Sequence, residues 1–366
     1  MPPIDRLELL AQLRRAVEAV MTVESYSFED KGQVKLRGRL KVTPEAAYRP
    51  MRDSMRQIGF TPFLRPAVNA EGNAVPDRYE VTAVPGVVAR EKQNPQLALV
   101  LFAATVLSVV FTGALTGGQT PSLLNGLMFG ASLLSILIAH EMGHYLVARW
   151  HGAQVSLPYF IPLPAPIGLG TMGAVIVQRE PFEDRRTLLE VAAAGPIAGF
   201  ILAVPLFILG VALTGAAHPT PTPLPAGSMS FGDSVLTTLI GTLKYGPGWT
   251  SPAVSINLHP IGFAAWIGLL ITGINLMPAG QLDGGHVAYA LLGERAKYVT
   301  WSVIAGLVIL SFTSQTWLLW VALLFLFGRN HPSPLNEAIQ LRRHHYALIL
   351  AAALVFVLTF VPRPIY

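Results

Sequence analysis

The chain has 366 residues, 52% of them hydrophobic and only 13% charged, with a mean hydropathy of +0.49. Soluble domains carry about 25% charged residues, so this composition excludes a wholly soluble protein and assigns a large part of the chain to lipid. The formal net charge of +5 is small for the length and its Lys and Arg gather in particular loops, so no nucleic-acid partner is expected; with no cysteine, neither disulfides nor thiolate-held metals can operate.

In chain order, the opening Met1-Pro-Pro-Ile-Asp-Arg-Leu-Glu has no basic region followed by an apolar core and lacks the Arg/Ser-rich character of a transit peptide, so the first apolar span is expected to serve as the insertion signal. Residues 1–93 read as a small water-soluble α/β domain. Asp5 with Glu8 resembles a capping box, and Leu10, Leu13, Val17 and Val20 line one helical face. Val34, Leu36, Leu40 and Val42 alternate with polar residues except at Gly38, as in a half-buried strand. Thr43-Pro44-Glu45 opens a second helix, which Pro50 is expected to break or kink. Strand-like runs at Phe60 to Leu64 and Tyr79 to Val84 complete a helix-strand-strand-helix-strand-strand order. No catalytic constellation lies here; a cytoplasmic regulatory or docking domain is expected, where a regulatory partner would bind.

Residues 94–366 form the membrane part. Leu97 to Leu115 is apolar and long enough for one span, and Leu123 to Trp150 makes a second, with Arg149 and Trp150 as interfacial anchors. Residues 151–187 hold Pro158, Pro162, Pro164 and Pro166, then Gly168-Leu-Gly-Thr-Met-Gly173 and the extended-looking Ala174 to Gln178. Such backbone is tolerated at membrane depth only where protein or water satisfies it, so a loop or hairpin folded over the second span's site is expected, an ordinary connector being the alternative. Leu188 to Leu213 is the third span; its Gly195 and Gly199 make a small-xxx-small ridge, which helix packing alone would explain. Residues 214–258 form a long loop, with Val235 to Leu243 lying on the membrane surface. Ile261 to Leu276, Val299 to Phe312, Trp317 to Phe327 and Tyr346 to Val361 bring the count to about seven spans. Arg149, Arg179, Arg185, Arg186, Arg295, Lys297, Arg329, Arg342 and Arg343 fall in loops on the side of the N-terminal domain, against Lys244 and Arg363 on the other, which puts the N-terminus in the cytoplasm.

The second span carries His140-Glu141-Met-Gly-His144. Four residues apart on a helix, His140 and His144 share a face and can reach one Zn²⁺, with Glu141 beside them as a general base. By itself this short pattern is a weak signal. Its position changes the weight, because ionisable groups within a span cost about 2.5 kcal/mol or more each and are seldom there without a purpose. Two neutral histidines leave a catalytic zinc one protein ligand short. Asp283, beside Gly284 and Gly285 directly after the fourth apolar run, is the carboxylate best placed by context to provide it, a helix-capping Asp being the alternative.

Ala139-His-Glu-Met-Gly-His144, Ala194-Gly-Pro-Ile-Ala-Gly199 and Asn275-x-x-Pro278-x-x-x-x-Asp283-Gly284, in that order on successive spans, resemble the site-2 protease family of zinc-dependent intramembrane proteases. Pro158-Tyr-Phe-Ile-Pro-Leu-Pro, Leu169-Gly-Thr-Met-Gly-Ala174 and Gly280-Gln-Leu-Asp-Gly-Gly-His286 are similar to its cyanobacterial and chloroplast branch, which includes the plant ethylene-dependent gravitropism-deficient and yellow-green proteins. The resemblance covers residues 94 to 330 and is thin outside them. It implies one Zn²⁺ held by His140, His144 and Asp283, Glu141 as catalytic carboxylate, and Asn275 holding the substrate or the developing oxyanion.

The expected reaction is hydrolysis of a peptide bond within or near a transmembrane segment of another membrane protein, in the lipid bilayer. Zinc would lower the pKa of a bound water and polarise the scissile carbonyl, while Glu141 moves the proton to the leaving amine. The 168–178 stretch could hold the unwound substrate as an added strand. Two other classes compete: a multi-pass metal or proton transporter, which has no need of Glu141 and would show an internal repeat, and a proteolytically silent scaffold, against which the intact ligands and base argue. The absence of a transit peptide points to a prokaryotic plasma membrane.

Overall fold

The computed structural model describes residues 6–69, 71, 73–87, 94–115, 120–165, 168–178, 180–219, 230–251, 254–327 and 331–365. Asp5 of the expected capping box, Pro166, and Arg179 and Arg329 of the basic loops lie outside the described residues. The chain divides into two compact units: Met1–Lys92 with Arg179–Leu188 and Pro332–Arg342, and Gln93–Gln178 with Leu189–His331 and Arg343–Tyr366.

In the first unit α1 (Arg6–Glu18) is followed by β1 (Met21–Phe28), β2 (Val34–Leu40), α2 (Pro44–Gln57), β3 (Phe60–Val68) and β4 (Ala74–Pro85). The four strands form one antiparallel sheet in the order β1-β2-β4-β3. Leu10, Leu13 and Val17 of α1 and Tyr48, Met51 and Met55 of α2 are buried with Val34, Leu36, Leu64 and Val81 of the sheet, the expected outcome of 3.6-residue and two-residue apolar periods meeting on one core. Tyr48 donates its hydroxyl to the Pro62 carbonyl at 3.0 Å, and burial pushes its pKa above the ordinary phenol value. Val42, expected in the strand, lies beyond the end of β2 and is exposed.

Two details differ from the sequence reading. Pro50 does not end α2, which runs through it to Gln57. A proline lacks the N–H that would bond the carbonyl four residues back, here that of Ala46; both residues are exposed, so the freed carbonyl faces water while Ala47, Tyr48, Met51 and Met55 hold the helix from its buried face. The second difference is the chain itself: segments distant in sequence finish this unit. Leu335 is 3% exposed in its core, and Asn336 pairs with both Leu64 and Asp184. The Asn336 side chain donates to the Pro44 carbonyl at 3.1 Å and accepts from Ala338 N at 3.2 Å. Arg52 and Arg56 of α2 meet Glu183 and Glu180 at 3.1 and 2.7 Å, and Arg186 meets Glu45 at 2.9 Å.

The second unit begins with α3 (Pro95–Leu115) and α4 (Leu123–Trp150), the latter capped by Ser122, whose hydroxyl accepts from Asn125 N. The proline- and glycine-rich stretch that follows is an antiparallel hairpin, β5 (Tyr159–Leu163) with β6 (Gly170–Val175). It is fastened to α3: Ser108 donates to the Gly170 carbonyl at 2.6 Å, and Thr112 accepts from Ala165 N at 3.0 Å. Then come α5 (Arg185–Leu213), whose first turn lies in the other unit, α6 (Val235–Tyr245), α7 (Pro260–Asn275), α8 (Asp283–Leu292), α9 (Ala296–Ser311), α10 (Thr316–Phe327) and α11 (Arg343–Thr359). Buried residues of α4 (Phe129, Leu133, Ile136, Leu137) and α7 (Ala264, Trp266, Ile267) form the centre of its core.

Among the described residues, α3, α4 and α5 are long and apolar enough to cross a membrane, and Pro260–Asn275, Thr316–Leu326 and Arg343–Thr359 are shorter apolar helices. Many of their large apolar side chains face outward, among them Leu107, Leu124, Leu146 and Leu350, as lipid requires and water does not allow at this density. Trp150, at the end of α4, is 80% exposed.

Candidate metal centre

The site is built on α4. Because His140 and His144 are one turn apart, both imidazoles leave the same face, with ring centroids 4.9 Å apart and Nε2 atoms 3.2 Å apart. Glu141 lies about 100° further round the helix. His140 is 3% and Glu141 7% exposed.

What fills the space opposite that face is α5, and it does so with glycine. A Cβ on Gly195 would lie 2.1 Å from His144 Nε2, and one on Gly199 would lie 3.3 Å from the His140 ring. The small-residue ridge is therefore the space the imidazoles occupy, beyond any role in helix packing. From the same helix the Val191 carbonyl accepts a hydrogen bond from His144 Nδ1 at 2.8 Å. A carbonyl can only accept, so the proton sits on Nδ1 and the Nε2 lone pair of His144 is left free for a ligand.

The third side comes from the chain between α7 and α8. Gly280 turns the backbone at φ +59°, and Gly284 packs against the Leu276 carbonyl, where any Cβ would stand 2.0 Å from the oxygen. This fold-back sets Asp283, the first residue of α8, with Oδ2 at 3.3 Å from His140 Nε2 and 3.4 Å from His144 Nε2. Asn275, the last residue of α7, has its amide Nδ2 at 3.2 Å from His140 Nε2. Two residues more than a hundred positions from the histidines thus reach the same point, as the sequence motifs require.

Three donors, two nitrogens and one oxygen, lie 3.2, 3.3 and 3.4 Å from each other. Ligands held at 2.0–2.1 Å from a tetrahedral ion are separated by about 3.4 Å. The triangle therefore already has the dimensions of one face of such a coordination sphere, and it could hold a divalent ion without rearrangement of the helices. The Val191 carbonyl and the glycine faces of α5 are the parts that the sequence analysis did not assign. A backbone carbonyl leaves no trace in residue type; the glycines did leave one, since their spacing of four matches that of the histidines.

The family profile described as "Peptidase family M50" matches residues 128–313, which contain His140, Glu141, His144, Asn275 and Asp283. The chain is 31% identical over 327 residues to "Probable zinc metalloprotease EGY2, chloroplastic" of Arabidopsis thaliana, covering 86% of this chain and 57% of that protein. With the protein of the same name from Oryza sativa subsp. indica it shares 30% identity, over 91% of this chain and 62% of that one. "Probable zinc metalloprotease EGY1, chloroplastic" of Arabidopsis thaliana is 33% identical over 63% of this chain and 42% of its own length. The chain spans roughly three-fifths or less of these curated relatives. With the family match covering half of its length and falling on the helices that carry the histidines, the aspartate and the asparagine, this chain belongs to peptidase family M50, the site-2 proteases.

Proposed function

We propose that this protein is an intramembrane zinc metalloprotease that hydrolyses peptide bonds within or near transmembrane segments of other membrane proteins. The observation that carries this reading is the triangle of His140, His144 and Asp283 donors, whose 3.2–3.4 Å edges fit a zinc ion held by three protein ligands with one position left for water or substrate. When bound, zinc supplies a positive charge that acidifies a water and polarises a carbonyl. Glu141 takes the proton from the attacking water on its carboxylate and returns it to the nitrogen of the leaving amine, so the bond broken is C–N and the carboxylate ends as it began. His144 is held in its ligating tautomer by Val191, and Asn275 places its amide beside the site to hold the substrate carbonyl as charge develops on the oxygen. A helical substrate hides its peptide groups in hydrogen bonds and has to unwind first. Strand β6, with Met172 and Val175 at least half exposed, supports a reading in which the hairpin receives the unwound segment as an added strand.

Seven spans with the first unit in the cytoplasm of a prokaryotic plasma membrane is the topology we adopt, and that unit is assigned regulation or docking of a partner. Supporting it, Arg179–Leu188 and Pro332–Arg342 pack into the same compact unit as the N-terminal residues, so an even number of crossings separates each from the next. The basic loops agree. As the chain has no cysteine, single-cysteine variants report sidedness cleanly. An impermeant maleimide applied to intact cells should label Thr120→Cys and Thr250→Cys, and reach Glu71→Cys only after lysis; the reverse pattern would overturn the orientation.

The test of function uses wild type and Glu141→Gln in liposomes with a single-span substrate, with and without a chelator. Cleavage by wild type, lost on chelation and reduced about 10²–10⁴-fold in the variant, is the expected result. Equal cleavage by the variant would sink the role of Glu141. Alternate proline substitutions over 174–178 that left cleavage unchanged would remove the added-strand step.

A further inference from the structure

A second group of metal-type donors stands apart from the first. Glu190, on the second turn of α5, is met on both oxygens: His345 Nε2 lies 3.0 Å from Oε1 and His151 Nε2 lies 2.6 Å from Oε2. His344 adds a third ring, 4.0 Å from that of His345 and tilted 33° to it. One donor atom each from Glu190, His344 and His345 lies within 4.8 Å of the other two. His345 is 1% exposed, the Glu190 and His151 side chains are about one-quarter exposed, and His344 is open to solvent.

Hydrogen bonding between a carboxylate and one imidazole accounts for only part of this. Adjacent residues at the start of a helix leave it about 100° apart, so His344 and His345 ordinarily diverge. Here His345 meets Glu190, a donor atom of His344 lies within 4.8 Å of both, and a third imidazole from another helix end already engages the same carboxylate. Imidazole nitrogens and one carboxylate oxygen, with no thiolate, are the ligands of zinc-class divalent ions, and the set repeats the chemistry of His140, His144 and Asp283.

We propose that Glu190, His344 and His345 form a second zinc site, with His151 on the far oxygen of Glu190 holding the carboxylate in place. Its ligands come from the start of α5 and the start of α11, so an ion there ties these two helices together, while His151 fastens Glu190 to the end of α4. His151, which meets Glu190, follows His144 by seven residues, about 10 Å along α4, and the two sets of donors have no residue in common. They are linked through the backbone instead: Glu190 is the neighbour of Val191, whose carbonyl fixes the tautomer of His144. The second ion therefore stiffens the support of the first site without entering the reaction.

The experiment counts metal on the full-length, tag-free protein in detergent after dialysis against zinc. About two equivalents are expected for wild type, about one for His140→Ala/His144→Ala, about one for His344→Ala/His345→Ala, and none when the two pairs are combined. No metal on His140→Ala/His144→Ala overturns the proposal, as does wild-type content in His344→Ala/His345→Ala or metal persisting in the combined variant. Because loss of the buried His345 can disturb folding, His344→Ala, at an exposed position, is also made in the His140→Ala/His144→Ala background. Its zinc affinity, read by competition with a chromophoric chelator, should fall about tenfold or more, and an unchanged affinity would overturn the assignment. Cobalt in the same background gives a further readout, a visible d–d spectrum that His344→Ala should alter.

Discussion

Around His140 and His144 the neighbouring helix presents glycine: Gly195 and Gly199 of α5 face the rings, and its polar contact there is the backbone carbonyl of Val191. Around Glu190 the opposite holds, since each neighbouring element brings an imidazole of its own, one of them exposed. The first group of donors is preorganised by what is missing from its surroundings, and its three edges differ by only 0.2 Å. The second is assembled from helix ends, with its imidazoles divided between the two oxygens of one carboxylate. Reactive geometry, in which a fixed open position matters, belongs with the first arrangement, and structural binding with the second.

Substitutions can break this contrast or sharpen it. The largest effect is expected from Asn275→Ala, which removes the amide beside His140 but no metal ligand: cleavage should fall about 10²–10³-fold with zinc content unchanged, measured by peptide-bond turnover alongside metal analysis. Loss of zinc in that variant would place Asn275 in metal retention instead. Next comes Gly195→Ala. Its methyl would stand 2.1 Å from His144 Nε2, so the ring has to move, and zinc affinity should drop about 10–100-fold. Gly199→Ala meets the His140 ring at 3.3 Å, a contact relieved by a few tenths of an ångström, and should cost less than about tenfold. Equal affinities for the two glycine variants would mean that α5 does not shape the site. The smallest effect is expected from Asn336→Ala, which leaves the Pro44 carbonyl and Ala338 N–H without the Asn336 side chain: the first unit should lose about 1–3 kcal/mol, read as a lower melting temperature, while zinc content and cleavage are retained.

How much of this was legible in the sequence varies with the range of the interaction. The spacing of His140 and His144 is local and fixed by the helix, so their shared face could be read directly. Asp283 was readable only through the cost of placing a carboxylate beside an apolar run, together with zinc's need for a third ligand. The helices and strands of the first unit followed their apolar periods, but Pro50 was overruled by buried neighbours on one face and water on the other. Leu335 and Asn336 gave no signal: a short polar segment between two apolar helices reads as a connector, and only the finished sheet shows that its core has a place for Leu335. The group around Glu190 was invisible for the same reason, since His151, Glu190 and His344 are separated by 39 residues or more and joined solely by tertiary structure.

That placement of Leu335 and Asn336 also orders events at the ribosome. Residues 6–87 leave the tunnel about 250 residues ahead of Leu335, which completes their hydrophobic centre only after every described apolar helix but α11 has been synthesised. Until then β3 lacks the partner that Asn336 gives to Leu64. Closure of this core on Leu335 is therefore a late event, one that joins residues made at the two ends of the membrane helices.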